Sequence, residues 1–371
     1  MKKIFLFIAF LWISLVSFAQ DGVNFEHLSF REALDKAKSE QKYVFMDCYT
    51  SWCGPCKNMT QNVFPQKKAG DYFNPKFICV KYDMEKGEGR ELAKKYQVKV
   101  YPTFLILNED GEVIHKMVGG MKAEEFLQNV QNGIGEHSLY SYEKRYADGE
   151  RDPQFVYSYI ETLARAFMKE RMEEVLHEYW GTLTDQEKSC KENWMLVKRF
   201  VKNPALPEYK YLLEHKKDFD AAVSKDSVDR KIYDDLFPLI VNDCNEIIFH
   251  DKVNAAQLLE TYEVCVTRSG IAGQDYLLDI VEFTKVFLSG DLKKALKMYD
   301  KKFSRLDSDA RFDVTLQLNG MLIRKGDAKM CKRGLELIEK TMKDCGWSVD
   351  DPLFAAVVSG LKDKFKDDKD E

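Results

Sequence analysis

The chain has 371 residues, with 56 basic against 61 acidic side chains and a formal charge of −5. That length exceeds one ordinary domain, and a composition 45% hydrophobic and 13% aromatic can build two sizeable cores. The acidic balance, with no basic stretch interleaved with aromatics, argues against a nucleic-acid partner.

The chain opens with MKKIFLFIAFLWISLVSFA. Lys2 and Lys3 precede a 13-residue apolar run from Ile4 to Val16, and Ser17-Phe18-Ala19 places small residues at −3 and −1 of a cleavage after Ala19. This is the pattern of a secretory signal peptide over residues 1–19, and the run is short for a membrane span. An uncleaved anchor is the alternative. No other stretch could cross a bilayer, so the mature chain is expected to lack a transmembrane segment and to work outside the cytoplasmic membrane, in a bacterial periplasm.

Residues 20–137 alternate strand and helix signals. Ser29-Phe30-Arg31-Glu32 is a capping box that opens a helix to about Glu40. Tyr43 to Cys48 is a nearly continuous apolar run, as in a parallel strand buried on both faces, and a helix signal begins at Cys53. Lys76–Asp83 is a second strand and Gly89–Tyr96 a short helix. Thr103–Leu107 and Val113–Val118 flank Asn108-Glu109-Asp110-Gly111, a hairpin turn, and Ala123–Gly133 closes the segment as a helix. The order predicts an α/β fold, a mixed sheet with helices on both faces.

From residue 138 to 371 no strand pattern survives. Phe155, Val156, Tyr159, Ile160, Leu163 and Phe167 recur at helical spacing, and Thr184-Asp185-Gln186-Glu187 is a second capping box. Leu288-Ser289-Gly290-Asp291 and Arg324-Lys325-Gly326-Asp327, 36 residues apart, each join a glycine to end one helix in the left-handed region with an aspartate to cap the next. An all-α domain of helical hairpins, as in tetratricopeptide arrays, or a compact bundle, is expected.

Nine cysteines cannot all pair within one chain. Cys48, Cys79, Cys190, Cys244, Cys265, Cys331 and Cys345 are irregularly spaced and mostly lie in apolar runs, so buried free thiols are expected, with a Cys331–Cys345 bridge between neighbouring helices as the exception to check. Cys53 and Cys56 stand apart, in YVFMDCYTSWCGPCKN. A zinc site would need two further ligands, and the six histidines are scattered; no metal is expected. A structural bridge over so short a loop would stabilise little. A redox pair fits the context, because a cysteine at a helix N-terminus meets unpaired N–H groups that stabilise its thiolate. Cys56, three residues on, is then within bonding reach of Cys53.

WCGPCK resembles the signature of the thioredoxin family, over roughly residues 25–135. The resemblance implies further roles: Asp47 as a buried carboxylate behind the pair, Lys81 as its counter-charge, and Tyr101-Pro102-Thr103 as a cis-proline loop facing the disulfide. Gly119 matches a glycine of the substrate groove, and Trp52, Gly54 and Pro55 complete the substrate-facing rim. The stretch MTQNVFPQKKAGDYFNPKFICVKYD is similar to exported, periplasmic thioredoxin-like reductase domains. Tyr101 stands where the family usually has a smaller aliphatic residue.

The expected function is therefore that of an exported thiol–disulfide reductase. It would act on protein disulfide substrates, need no cofactor, and draw electrons from a membrane donor. Isomerase or oxidase action is the alternative within that chemistry. A redox-sensing scaffold that holds a client or protein partner on its helical domain is the alternative outside it.

Overall fold

The computed structural model describes residues 22–364, apart from 251, 305, 307, 347, 349 and 350. The signal-peptide segment and the charged tail beyond 364 lie outside the described residues. In chain order the first elements are α1 (Phe30–Glu40), β1 (Tyr43–Tyr49), α2 (Gly54–Asn58) running into a π-helical turn (Met59–Val63), α3 (Lys67–Phe73), β2 (Phe77–Asp83), α4 (Gly89–Lys95), β3 (Thr103–Leu107), β4 (Val113–Val118) and α5 (Ala123–Asn132). The sheet order is β2-β1-β3-β4, with β1 and β2 parallel and the other pairs antiparallel.

β1 is apolar almost throughout because both faces of the sheet are covered. Its alternation divides two cores. Phe45, Cys79, Phe104 and Ile106 face Met59, Val63, Phe73, Phe126 and Val130, from the π-turn, α3 and α5. Val44, Met46, Cys48, Ile78, Val80 and Leu105 face Ala33, Ala37 and Leu92, from α1 and α4. The first core is built of rings: Phe45 lies 4.8 Å from Phe73 and 5.9 Å from Phe104, and Phe104 lies 5.1 Å from Phe126. Helices on both faces of a mixed sheet are the arrangement the strand and helix signals predict.

The local chemistry explains most boundaries. Ser29 with Glu32 and Thr184 with Glu187 both form reciprocal capping boxes. In the β3–β4 turn Gly111 takes φ +78°, and Asn108 Oδ1 accepts from the N–H groups of Asp110 and Glu112 at 3.1 and 2.8 Å. The helix α3 has no counterpart in the sequence reading. It carries Gly70 at a point where a Cβ would lie 2.2 Å from the carbonyl oxygen of Gly22, so a helix-weakening residue is required by a distant piece of chain.

Beyond α5 the described residues hold helices and no strand: α6 (Leu139–Ala147), α7 (Pro153–Arg165), α8 (Lys169–Thr182), α9 (Asp185–Lys188), α10 (Lys191–Phe200), α11 (Pro207–Glu214), α12 (Lys216–Ala222), α13 (Lys225–His250), α14 (Ala255–Ser269), α15 (Gln274–Ser289), α16 (Leu292–Met298), α17 (Ser308–Lys325), α18 (Ala328–Cys345) and α19 (Pro352–Asp363). Three sequence expectations change here. Gly290 ends α15 at φ +78° and Asp291 caps α16 as expected, but Gly326 is not left-handed. It is there because a Cβ would meet the Leu322 carbonyl at 2.6 Å. Cys331 and Cys345 occupy one helix, α18, and 14 residues of helix separate them by about 21 Å, too far to bond. Cys331 is a buried free thiol, as are Cys48, Cys79, Cys244 and Cys265. Finally, Phe155 to Leu163 form the buried face of α7, but Phe167 lies past its end and is 62% exposed.

The chain divides into two compact units between Gly181 and Thr182. The change to an all-helical pattern comes at residue 138, yet α6, α7 and α8 belong with the sheet in the first unit. α6 packs on β4. At that seam the backbone N–H of Leu139 donates to Nδ1 of buried His115 at 3.2 Å, so this nitrogen must be unprotonated. Burial pushes the His115 pKa down to about 4. A histidine depressed in the folded state stabilises most above its unfolded pKa, and that contribution falls as pH drops from about 6.5 towards 4. The stability difference across that window is at most about 3 kcal/mol. Thermal melting of wild type and His115→Gln between pH 7 and 4 should show a steeper acid loss in wild type; parallel curves would show that His115 titrates freely.

Candidate functional site

Where β1 ends, the chain turns through Thr50–Trp52 and enters α2. Cys53 is the N-cap of that helix, in extended conformation, and its Sγ accepts the backbone N–H of Cys56 at 3.1 Å. Gly54 and Pro55 fill the first turn, where the missing proline N–H costs nothing. Cys53 and Cys56 are joined by a disulfide with Cα atoms 5.3 Å apart, and both are buried, at 2% and 4% exposure. The pair is therefore in its oxidised form. On reduction, the N–H already aimed at Cys53 is placed to stabilise a thiolate there.

Asp47 sits on the aromatic face of β1. It is 2% exposed, its Oδ1 has no hydrogen-bond partner, and Lys81 is its register neighbour on β2. Burial raises its pKa to about 7, and the Lys81 charge partly opposes that rise. A pocket of about 220 Å³ is lined by Cys56, Thr50, Thr60 and Lys81, the register neighbour of Asp47. Thr50, in that lining, has a buried hydroxyl with no partner, so water entering the pocket would find a polar group in need of one.

The other expected residues gather around the disulfide. The Tyr101–Pro102 peptide bond is cis. The Pro102 carbonyl accepts the N–H of Gly119, which lies at φ +96° just past β4. Trp52 is 64% exposed, meets the Tyr101 ring edge-on at 6.0 Å, and donates through Nε1 to Glu85 at 3.0 Å. Sequence reasoning missed Glu85, whose partner is 33 residues away. It also missed Gly120, where a Cβ would approach the Pro55 ring to 3.2 Å; the Gly119-Gly120 dipeptide was the available signal. Among the described residues no cluster of histidine, cysteine or carboxylate side chains is arranged to hold a metal, and no helix is long and apolar enough to cross a membrane.

A mixed sheet with helices on both faces, a disulfide at the start of a helix and a cis-proline beside it define a thioredoxin-like domain. The model of the thioredoxin-like domain family matches residues 30–134. A thioredoxin-like protein of Synechocystis is 32% identical over 90 residues, 24% of this chain and 80% of that protein. Chloroplastic thioredoxin Y of rice is 35% identical over 109 residues, 29% of this chain and 58% of that protein. A maize protein disulfide-isomerase is 25% identical over 104 residues, of which the chain spans 20% of the length. A solution structure of a candidate disulphide-isomerase from Bacteroides thetaiotaomicron is 51% identical, with 31% of this chain and 94% of that one covered and a TM-score of 0.29. Through residues 30–134 the chain belongs to the thioredoxin-like family.

The buried carboxyl has a measurable consequence. Its raised pKa makes the folded state favour protonated Asp47, so this stabilising preference is complete below pH 4 and is lost as pH rises to about 7. Above that the ionised group costs up to roughly 4 kcal/mol. Asp47→Asn should therefore raise the melting temperature of the oxidised protein at pH 8 and leave it nearly unchanged at pH 4. A variant less stable at pH 8 would show that the carboxylate is held by interactions stronger than its desolvation.

Proposed function

We propose that this protein is an exported thiol–disulfide oxidoreductase that works mainly as a reductase of protein disulfides. The observation that carries this reading is the Cys53–Cys56 disulfide at the start of α2, with a backbone N–H on Cys53 Sγ. In the reduced protein the Cys53 thiolate attacks a client disulfide, bonding to one client sulfur and releasing the other as thiolate. Cys56, deprotonated, then attacks the Cys53 sulfur. The second client thiol leaves, and the protein is left oxidised by two electrons. Asp47, with a pKa near 7, takes the Cys56 proton; Lys81, its register neighbour, borders the same pocket as Cys56. Trp52, Tyr101, Pro102 and Gly119 form the surface against which the client disulfide lies. Regeneration requires an external reductant, and for an exported protein a membrane thiol carrier is the natural source. The reducing direction rests on Gly54-Pro55 between the cysteines, and isomerase action is the competing direction.

Cys53→Ser should abolish the protein's acceleration of insulin reduction by dithiothreitol, and Cys56→Ser should accumulate mixed disulfides with clients. Iodoacetamide should modify Cys53 before Cys56 in the reduced protein, and the reverse order would overturn the assignment. A reduction potential near about −270 mV would support the reductase direction, and one near about −120 mV would reverse it.

The Asp47 role has its own readout. Turnover by Asp47→Asn should fall most at and below pH 7, where Cys56 most needs a base. Superimposable pH profiles for wild type and variant would reduce Asp47 to a buried structural group.

A further inference from the structure

We infer that the first unit carries a second client subsite: an open cleft beside the edge strand β4 that takes the extended polypeptide flanking the client's disulfide. The inference rests on the reading above that the Cys53–Cys56 pair reduces protein disulfides.

The cleft encloses about 650 Å³, and its lining includes Val118, Gly120, Met121, Asn129, Asn132 and Phe167. One end is built by the chain that touches the redox pair. Gly120 lies against Pro55, between the two cysteines, and the Met121 N–H points to Met59 Sδ at 3.4 Å. The neighbouring Gly119 is bonded to the cis-proline loop. A polypeptide lying on Pro102 and Gly119 therefore needs no break in the surface to continue into the cleft. The far wall comes from α7 and its exit, residues beyond the segment that matches the family model. This wall is a property of this chain's added helices.

Phe167 supplies the second observation. It is a non-glycine residue at φ +54°, just past α7, with its N–H on the Ala164 carbonyl at 3.1 Å. A glycine would occupy that left-handed position at lower cost. Its ring is 62% exposed, so burial in the core does not offset the strain. Among the described residues of the first unit, it and Trp52 are the two most exposed aromatic residues. The ring also borders a smaller adjoining pocket of about 210 Å³, which shares Lys116 and Val118 with the cleft and reaches Val100, next to Tyr101. Phe167 is thus the common wall of two pockets that both border the cis-proline loop or its partner strand.

The chemistry of the lining suits a peptide main chain. Asn129 and Asn132 carry carboxamides that can each donate to a carbonyl and accept from an N–H. Met121 and Phe167 give apolar contact without a shaped hole for one particular side chain. Lys116, Glu125, Glu161 and Arg165 add charges of both signs to the lining, so it suits extended chain without strong net charge, and β4, at the edge of the sheet, lies alongside it. A client segment would be held while its disulfide sits at Cys53.

The test compares two peptides with one cysteine each, carried as a mixed disulfide with thionitrobenzoate. One has about three residues and the other about twelve, ~40 Å when extended, with alternating apolar and neutral polar residues. Pre-reduced full-length protein is mixed with each. Cys53 displaces thionitrobenzoate, Cys56 then displaces the peptide thiol, and the absorbance of released thionitrobenzoate gives a second-order rate constant. Wild type should prefer the long peptide by about tenfold, and in Phe167→Asp and Asn132→Arg that ratio should fall to within about twofold of one. A wild-type ratio near one, or a preference kept by both variants, overturns the subsite. If wild type reduces neither peptide, the reductase reading fails, and the subsite is decided by fluorescence anisotropy of a labelled long peptide with serine for cysteine. Binding that Phe167→Asp weakens supports the cleft; no binding, or binding indifferent to both variants, overturns it.

Discussion

Burial of β1 on both faces is the constraint from which the rest of the site follows. A strand flanked by β2 and β3 and covered by two helical layers must be apolar at nearly every position. It must also end where its flanking strands end, and the chain must then turn at once into a helix that packs on the aromatic face. Cys53 occupies that turn. The redox pair is therefore fixed at the end of a strand buried on both faces, and its backbone N–H partner comes with the helix start.

The same burial sets a conflict in the core. Asp47 is a carboxyl on a face built largely of aromatic and aliphatic side chains, with an oxygen that has no partner. A folded protein gains nothing from that group at neutral pH. In the proposed mechanism the group serves as base for Cys56, and a pKa near 7 lets one carboxyl both take and release a proton under ordinary conditions. Cys79, on the same face, is pushed far up by burial, which disfavours a thiolate there.

The helices that follow the sheet are part of the first unit rather than an appendage to it. α6 is tied to β4 through His115 and Leu139, and α8 is joined to α6 by Tyr146 O–H donating to the Val175 carbonyl at 3.4 Å. α7, which packs on α6, supplies the far wall of the cleft beside β4.

The sequence by itself determined the things that depend on near neighbours. The two capping boxes, the apolar run of β1, the Asn108–Gly111 turn and the WCGPC stretch act over a few residues, and each was readable with its physical reason. Of the expected site residues, Trp52 meets Tyr101, Gly119 is hydrogen-bonded to Pro102, and Lys81 lies beside Asp47 in register. The tertiary structure alone decided what depends on distant chain. Gly70 breaks a helical pattern locally and is required by Gly22, 48 residues before it. Cys331 and Cys345 looked like partners on two helices until an unbroken α18 set them four turns apart. Phe167 fits the apolar spacing of α7, yet it falls past the end of that helix and is exposed. Spacing along the chain reports which face a residue would take, but only packing shows whether anything lies opposite that face.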